Sequence, residues 1–138
     1  MYQLMSPEAP AVQDLEIYVR DLEPARLTAW LEINFDQLLV PLTPFGNKPG
    51  LYKGEGRYGD GLVRITVYAE AFGKRFSSVL LEGEDLPWNT DLDCARSAWR
   101  ALDTEIRCSQ GEWQEGDPVE EEKWWRLDDR GEKLVVWN

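Results

Sequence analysis

Residues 15–35 read LEIYVRDLEPARLTAWLEINF, and the change of period inside them decides the fold class. In LEIYV every second residue is aliphatic, which puts Leu15, Ile17 and Val19 on one face of a strand. Beyond Asp21 the spacing becomes helical: Leu27, Trp30 and Leu31 form one apolar stripe. Asp21 is placed to N-cap this helix, and Pro24 suits its first turn, where a missing N–H has no partner to lose. A half-buried strand leading into an amphipathic helix predicts an α+β chain.

Outward from this stretch, DQLLVPLTPF (36–45) reads as extended. The chain then turns at Asn47-Lys48-Pro49-Gly50, with Pro and Gly where a type II turn favours them. GEGRYG (54–59) reads as a flexible hairpin loop, mildly basic through Lys48, Lys53 and Arg57. LVRITVYAEA (62–71) alternates, with Val63, Ile65, Val67 and Ala69 on one side, and a tight FGK link leads to a second strand, RFSSVLLEG. A second helix starts near Thr90, whose spacing to Asp93 resembles a capping box, and its stripe is Leu92, Ala95, Trp99 and Leu102. A strand in TEIRCSQ, an acidic loop, and a hairpin in KWWRLDDRGEKLVVW around Gly131 complete the chain.

The order strand, helix, three strands therefore occurs twice, over 13–71 and 76–137, and DLEPAR (21–26) and DLDCAR (91–96) open the two helices in register. This predicts an internal duplication of a βαβββ unit within a single domain spanning 1–138. A mainly antiparallel sheet with two amphipathic helices is expected, either as two such modules or as a single open sheet. Paired βαβββ modules, helices opening D-L-x-x-A and a closing hairpin LDDRGEKLVVW resemble the vicinal oxygen chelate superfamily of glyoxalases and bleomycin-resistance-type binding proteins. The resemblance implies a cleft between modules that holds a small ligand. Enzymes of that superfamily bind a metal through His and Glu, and this chain has no His, so the resemblance implies a metal-free member.

The 138 residues suit one core, and no run approaches the length of a membrane span. The N-terminal sequence lacks a basic segment followed by an apolar one, so the expected compartment is the cytoplasm. Fifteen basic and 26 acidic side chains give a net charge of −11, which disfavours nucleic acid and anionic membranes as partners. The lack of His also removes the usual base of Ser and Cys hydrolases. Cys94 and Cys108 match neither a disulfide framework nor a zinc spacing and read as buried thiols; Arg107 beside Cys108 would lower its pKa.

Few motifs carry chemistry. GEGRYG matches G-x-G-x-x-G, but a strand follows where a phosphate site needs a helix. Carboxylate pairs are plentiful by chance among 26 acids, and none is singled out by neighbouring chemistry. Successive Glu120, Glu121 and Glu122 on an extended segment alternate in direction and do not converge on a cation. Ser77 and Ser78 have no activating base. No cofactor or metal site is expected.

The distinctive stretch is EWQEGDPVEEEKWW (112–125), where six carboxylates adjoin three tryptophans. Those acids contribute −6 of the net −11. Trp124 and Trp125 are neighbours on a strand and must face opposite ways, as must Val135 and Trp137 against Leu134 and Val136. If helices cover one face only, one of the two rings looks outward; which one the sequence leaves open. An outward ring beside mobile acids combines desolvated area with attraction for cations. Glu112, Trp113, Glu115, Glu120, Glu121, Glu122, Trp124, Trp125 and Trp137 are thus the candidate partner-binding or ligand-binding residues. The leading expectation is a non-catalytic acidic protein that engages a basic protein, as an inhibitor or immunity protein does. A small cationic or aromatic ligand is the alternative, a carboxylate-based enzyme the third, and a homodimer is compatible with each.

Overall fold

A computed structural model describes residues 12–111 and 123–137. The chain is α+β: β1 (Gln13–Arg20), α1 (Pro24–Asn34), β2 (Gln37–Pro44), β3 (Leu51–Tyr58), β4 (Gly61–Phe72), β5 (Phe76–Gly83), α2 (Asp91–Leu102), β6 (Ile106–Ser109), β7 (Lys123–Asp128) and β8 (Gly131–Val136). The eight strands form one open sheet in the order β2-β3-β4-β5-β1-β6-β7-β8, and every pairing is antiparallel.

The order strand, helix, three strands does occur twice, but the strands merge into one layer. A tight turn at 73–75 folds β4 and β5 back on each other as a hairpin. β5 then takes the flank of β4, so β1 lies between β5 and β6. The alternative of a single open sheet is the one realised.

Both helices pack on one face, where the odd-numbered residues of β1 point. Leu15, Ile17 and Val19 lie opposite Leu81, Val79 and Ser77, and these in turn continue to Ile65 and Val67. Leu27, Trp30 and Leu31 of α1 and Cys94, Ala95, Ala98 and Leu102 of α2 close this core from above. Trp30 stacks on Trp88 with ring centroids 5.1 Å apart, and its indole N–H donates to Ser97 Oγ at 3.0 Å, which ties the two helices together. Trp99 is only half-buried, packed against the edge of this core.

Three local expectations need correction. The N-cap of α1 is Glu23, which makes no side-chain cap; Asp21 instead takes a left-handed φ of 48° and pairs with Arg75. GEGRYG is mostly the strand β3 rather than a loop, so Lys53 and Arg57 belong to a sheet face. Gly54 and Gly56 face the helix side, and a Cβ on Gly54 would come within 2.7 Å of the Val40 carbonyl oxygen. Ala69 is exposed, because the chain bulges at Glu70 (φ 56°) as β4 leaves the core. The turn before β3 does match: Gly50 has φ 84° and the Leu51 N–H donates to the Lys48 carbonyl. No described helix is long and apolar enough to cross a membrane.

Candidate functional site on the helix-free face

Even-numbered residues of β1 and their partners point away from the helices. Tyr18 sits opposite Ser78 on one side and Arg107 on the other, and Ser109 opposes Trp124, which opposes Val135. Strand parity alone thus carries Tyr18, Arg107, Trp124 and Val135 to one surface. Trp137, two residues beyond Val135, joins them, and Phe72 and Phe76 arrive from the two ends of the β4–β5 turn.

These side chains form one cluster. Tyr18 meets Trp124 edge to face at 5.7 Å and Trp137 at 5.3 Å, while Trp124 and Trp137 meet at 5.2 Å. Phe72 lies 3.9 Å from Trp137, and Phe76 contacts the same indole at 5.0 Å. Such edge-to-face pairs align positive ring edges with negative ring faces, adding about 1 kcal/mol each beyond burial. The cluster is not sealed: Phe72 is 41% exposed and Tyr68, at its border, 45%.

The polar surroundings are mostly self-satisfied. The Arg107 guanidinium lies over Trp137 (4.7 Å) and Phe76 (5.0 Å), and its Nε donates to Glu105 Oε2 at 2.7 Å. Glu105 also accepts from Arg20; Arg126 Nε lies 3.1 Å from Asp128 Oδ2 but is buried without making a hydrogen bond among the described residues. The Ser78 hydroxyl donates to Glu16 Oε2 at 2.6 Å. Burial and then the Glu16 carboxylate push the Tyr18 phenol above its ordinary pKa, so it remains neutral.

Of the sequence candidates, Trp124 and Trp137 come together in this cluster. Trp125 points to the helix side, packed against the core between Cys108 and Leu134, and takes no part. Glu112, Trp113, Glu115, Glu120, Glu121 and Glu122 lie outside the described residues, in the chain that joins β6 to β7. Sequence reasoning missed Tyr18, Phe72, Phe76 and Arg107. The signal for Tyr18 was available: it alternates with Ile17 and Val19 and so had to leave the core.

Among the described residues, the candidate nucleophiles named from the sequence are not activated. Ser78 is 2% exposed and its hydroxyl proton is committed to Glu16. Cys108 does not have the lowered pKa its neighbour suggested, because Arg107 points to the opposite face; burial pushes the thiol up to about 12. Burial likewise pushes the Cys94 thiol well above its ordinary pKa. Among the described residues no three acidic or Cys side chains are grouped to hold a metal ion. What the geometry offers is ring area, partly open, for an apolar or cationic group to cover. No protein-family model, curated protein or solved structure matches this chain.

Proposed function

We propose that this protein works by binding, and that it engages a basic protein partner across the helix-free face. One observation carries the reading: five aromatic rings, Tyr18, Phe72, Phe76, Trp124 and Trp137, gather on that face. The chain segment leading into Trp124 holds six carboxylates and no base across 112–122. Aromatic anchors supply the short-range energy of protein interfaces, and an acidic field on a chain of net charge −11 accelerates encounter with a basic surface.

A second reading is favoured by the mutual edge-to-face contacts of Tyr18, Trp124 and Trp137 beside the partly exposed Phe72, a part-open ring cluster that suits a small cationic or aromatic ligand. The vicinal oxygen chelate resemblance implies that kind of ligand. The two readings separate by affinity capture on immobilised protein from native lysate, eluted with a salt gradient. A basic protein that elutes with rising salt, and is lost when Glu120, Glu121 and Glu122 are changed to Gln, supports the first. Capture indifferent to salt and to those substitutions rejects it. Quenching of tryptophan fluorescence by cationic aromatic amines, without protein capture, favours the second.

A further inference from the structure

The two edges of the sheet are unlike. β2 carries Pro41 and Pro44 and shifts register twice, between Leu38 and Val40 and again between Val40 and Thr43, devices that spoil an edge for pairing. β8, GEKLVV, has no proline and pairs with β7 without a register shift. Val136 is 47% exposed, and no described strand lies beyond β8.

The hydrogen-bond parity of β8 follows from strands further in. The Arg20 N–H donates to the Glu105 carbonyl, and the Glu16 N–H turns to Asp91 Oδ1, so even-numbered residues of β1 address the β6 side. Tyr18 therefore pairs with Arg107, and Ile106 and Cys108 address Leu127 and Trp125. That leaves Trp124, Arg126 and Asp128 to bond Val135, Lys133 and Gly131. By alternation, the N–H and C=O groups of Glu132, Leu134 and Val136 face the open edge.

We propose that β8 pairs antiparallel with β8 of a second copy of this chain, across a twofold axis at Leu134. In that register Leu134 faces Leu134, Glu132 faces Val136 and Lys133 faces Val135. Every outward backbone group of the strand is satisfied and no like charges are opposed. Glu132 stays neutralised by Arg96, which it accepts from at 2.6 Å. A shift of two residues one way sets Lys133 against Lys133, and the other way leaves Glu132 without a partner within the strand. A second copy is thus the extended segment this edge fits, because the strand is complementary to itself. A twofold axis perpendicular to the sheet also keeps both aromatic faces on the same side of the joined sheet. The pairing does not depend on what those faces bind.

The test is sedimentation equilibrium from micromolar to millimolar protein at low and high salt. Dimer should rise with concentration and also with salt, because two chains of net charge −11 repel. That salt dependence is opposite in sign to the one expected for a basic partner, so the two proposals fail separately. Leu134→Glu and Leu134→Lys each place like charges at the axis and should each be monomeric, while their equimolar mixture should regain the dimer. Val136→Pro removes an outward N–H without taking a bond from β7, and should weaken association by about tenfold. A wild-type chain that stays monomeric throughout overturns the proposal. So does a dimer indifferent to these changes, or a charge-swapped mixture of natively folded variants that fails to associate.

Discussion

Gly54 illustrates how one residue sets a local structure that its own preference opposes. Glycine weakens strands, and GEGRYG looked like a loop for that reason. It stands in β3 because the β2 backbone passes so close that a Cβ would sit 2.7 Å from the Val40 oxygen and 3.3 Å from the Leu42 nitrogen. Gly54→Ala should therefore cost about 1–3 kcal/mol in urea unfolding, the range for overpacking against groups that cannot move aside. The thiols give a pH prediction. Cys108 titrates near 9.0 when unfolded and at about 12 in the fold, so the folded state holds the proton longer. Its contribution is fully present below pH 9 and is lost as pH rises from there toward 12. At one unit above the unfolded value the loss is about 1.4 kcal/mol. Urea midpoints should fall over that window, and Cys108→Ser should flatten the fall; an unchanged slope would contradict the assignment.

At the scale of elements, the two helices start differently for reasons on the page. Thr90 caps α2, with its hydroxyl accepting from the Asp93 N–H at 3.0 Å, as the Thr90–Asp93 spacing foretold. Thr90→Ala should lower stability by about 1 kcal/mol, measured by thermal or chemical unfolding. α1 has no such cap, and Glu23→Ala should cost far less. Asp21 was misassigned because sequence cannot display Arg75, which arrives from the β4–β5 turn. The strands with strict alternation, β1 and β4, were legible, and so was the β7–β8 hairpin around Gly131, whose φ is 104°. Parity also dictated that Trp124 and Trp125 diverge. Which of them would face the helices required knowing that Trp125 lies beside Cys108 on the helix side, a pairing set by β6.

The whole molecule depends on one topological choice. The β4–β5 hairpin places β1 at the centre of a single sheet, so Tyr18 can receive rings from both halves of the chain: Phe72 from β4, and Trp124 and Trp137 from the carboxy-terminal strands. No local pattern in the sequence joins residues that far apart, which is why the cluster was only half anticipated, through Trp124 and Trp137. The account of function rests on that cluster acting as a docking surface. Its most direct test is the equilibrium affinity of a captured basic partner for Trp124→Ala and Trp137→Ala, each verified as folded by circular dichroism, across a series of salt concentrations. Both variants should bind at least about tenfold more weakly, the mark of an interface anchor, and keep the wild-type salt slope because their loss is not one of charge. Wild-type affinity in both folded variants would contradict the claim that these rings form the binding face.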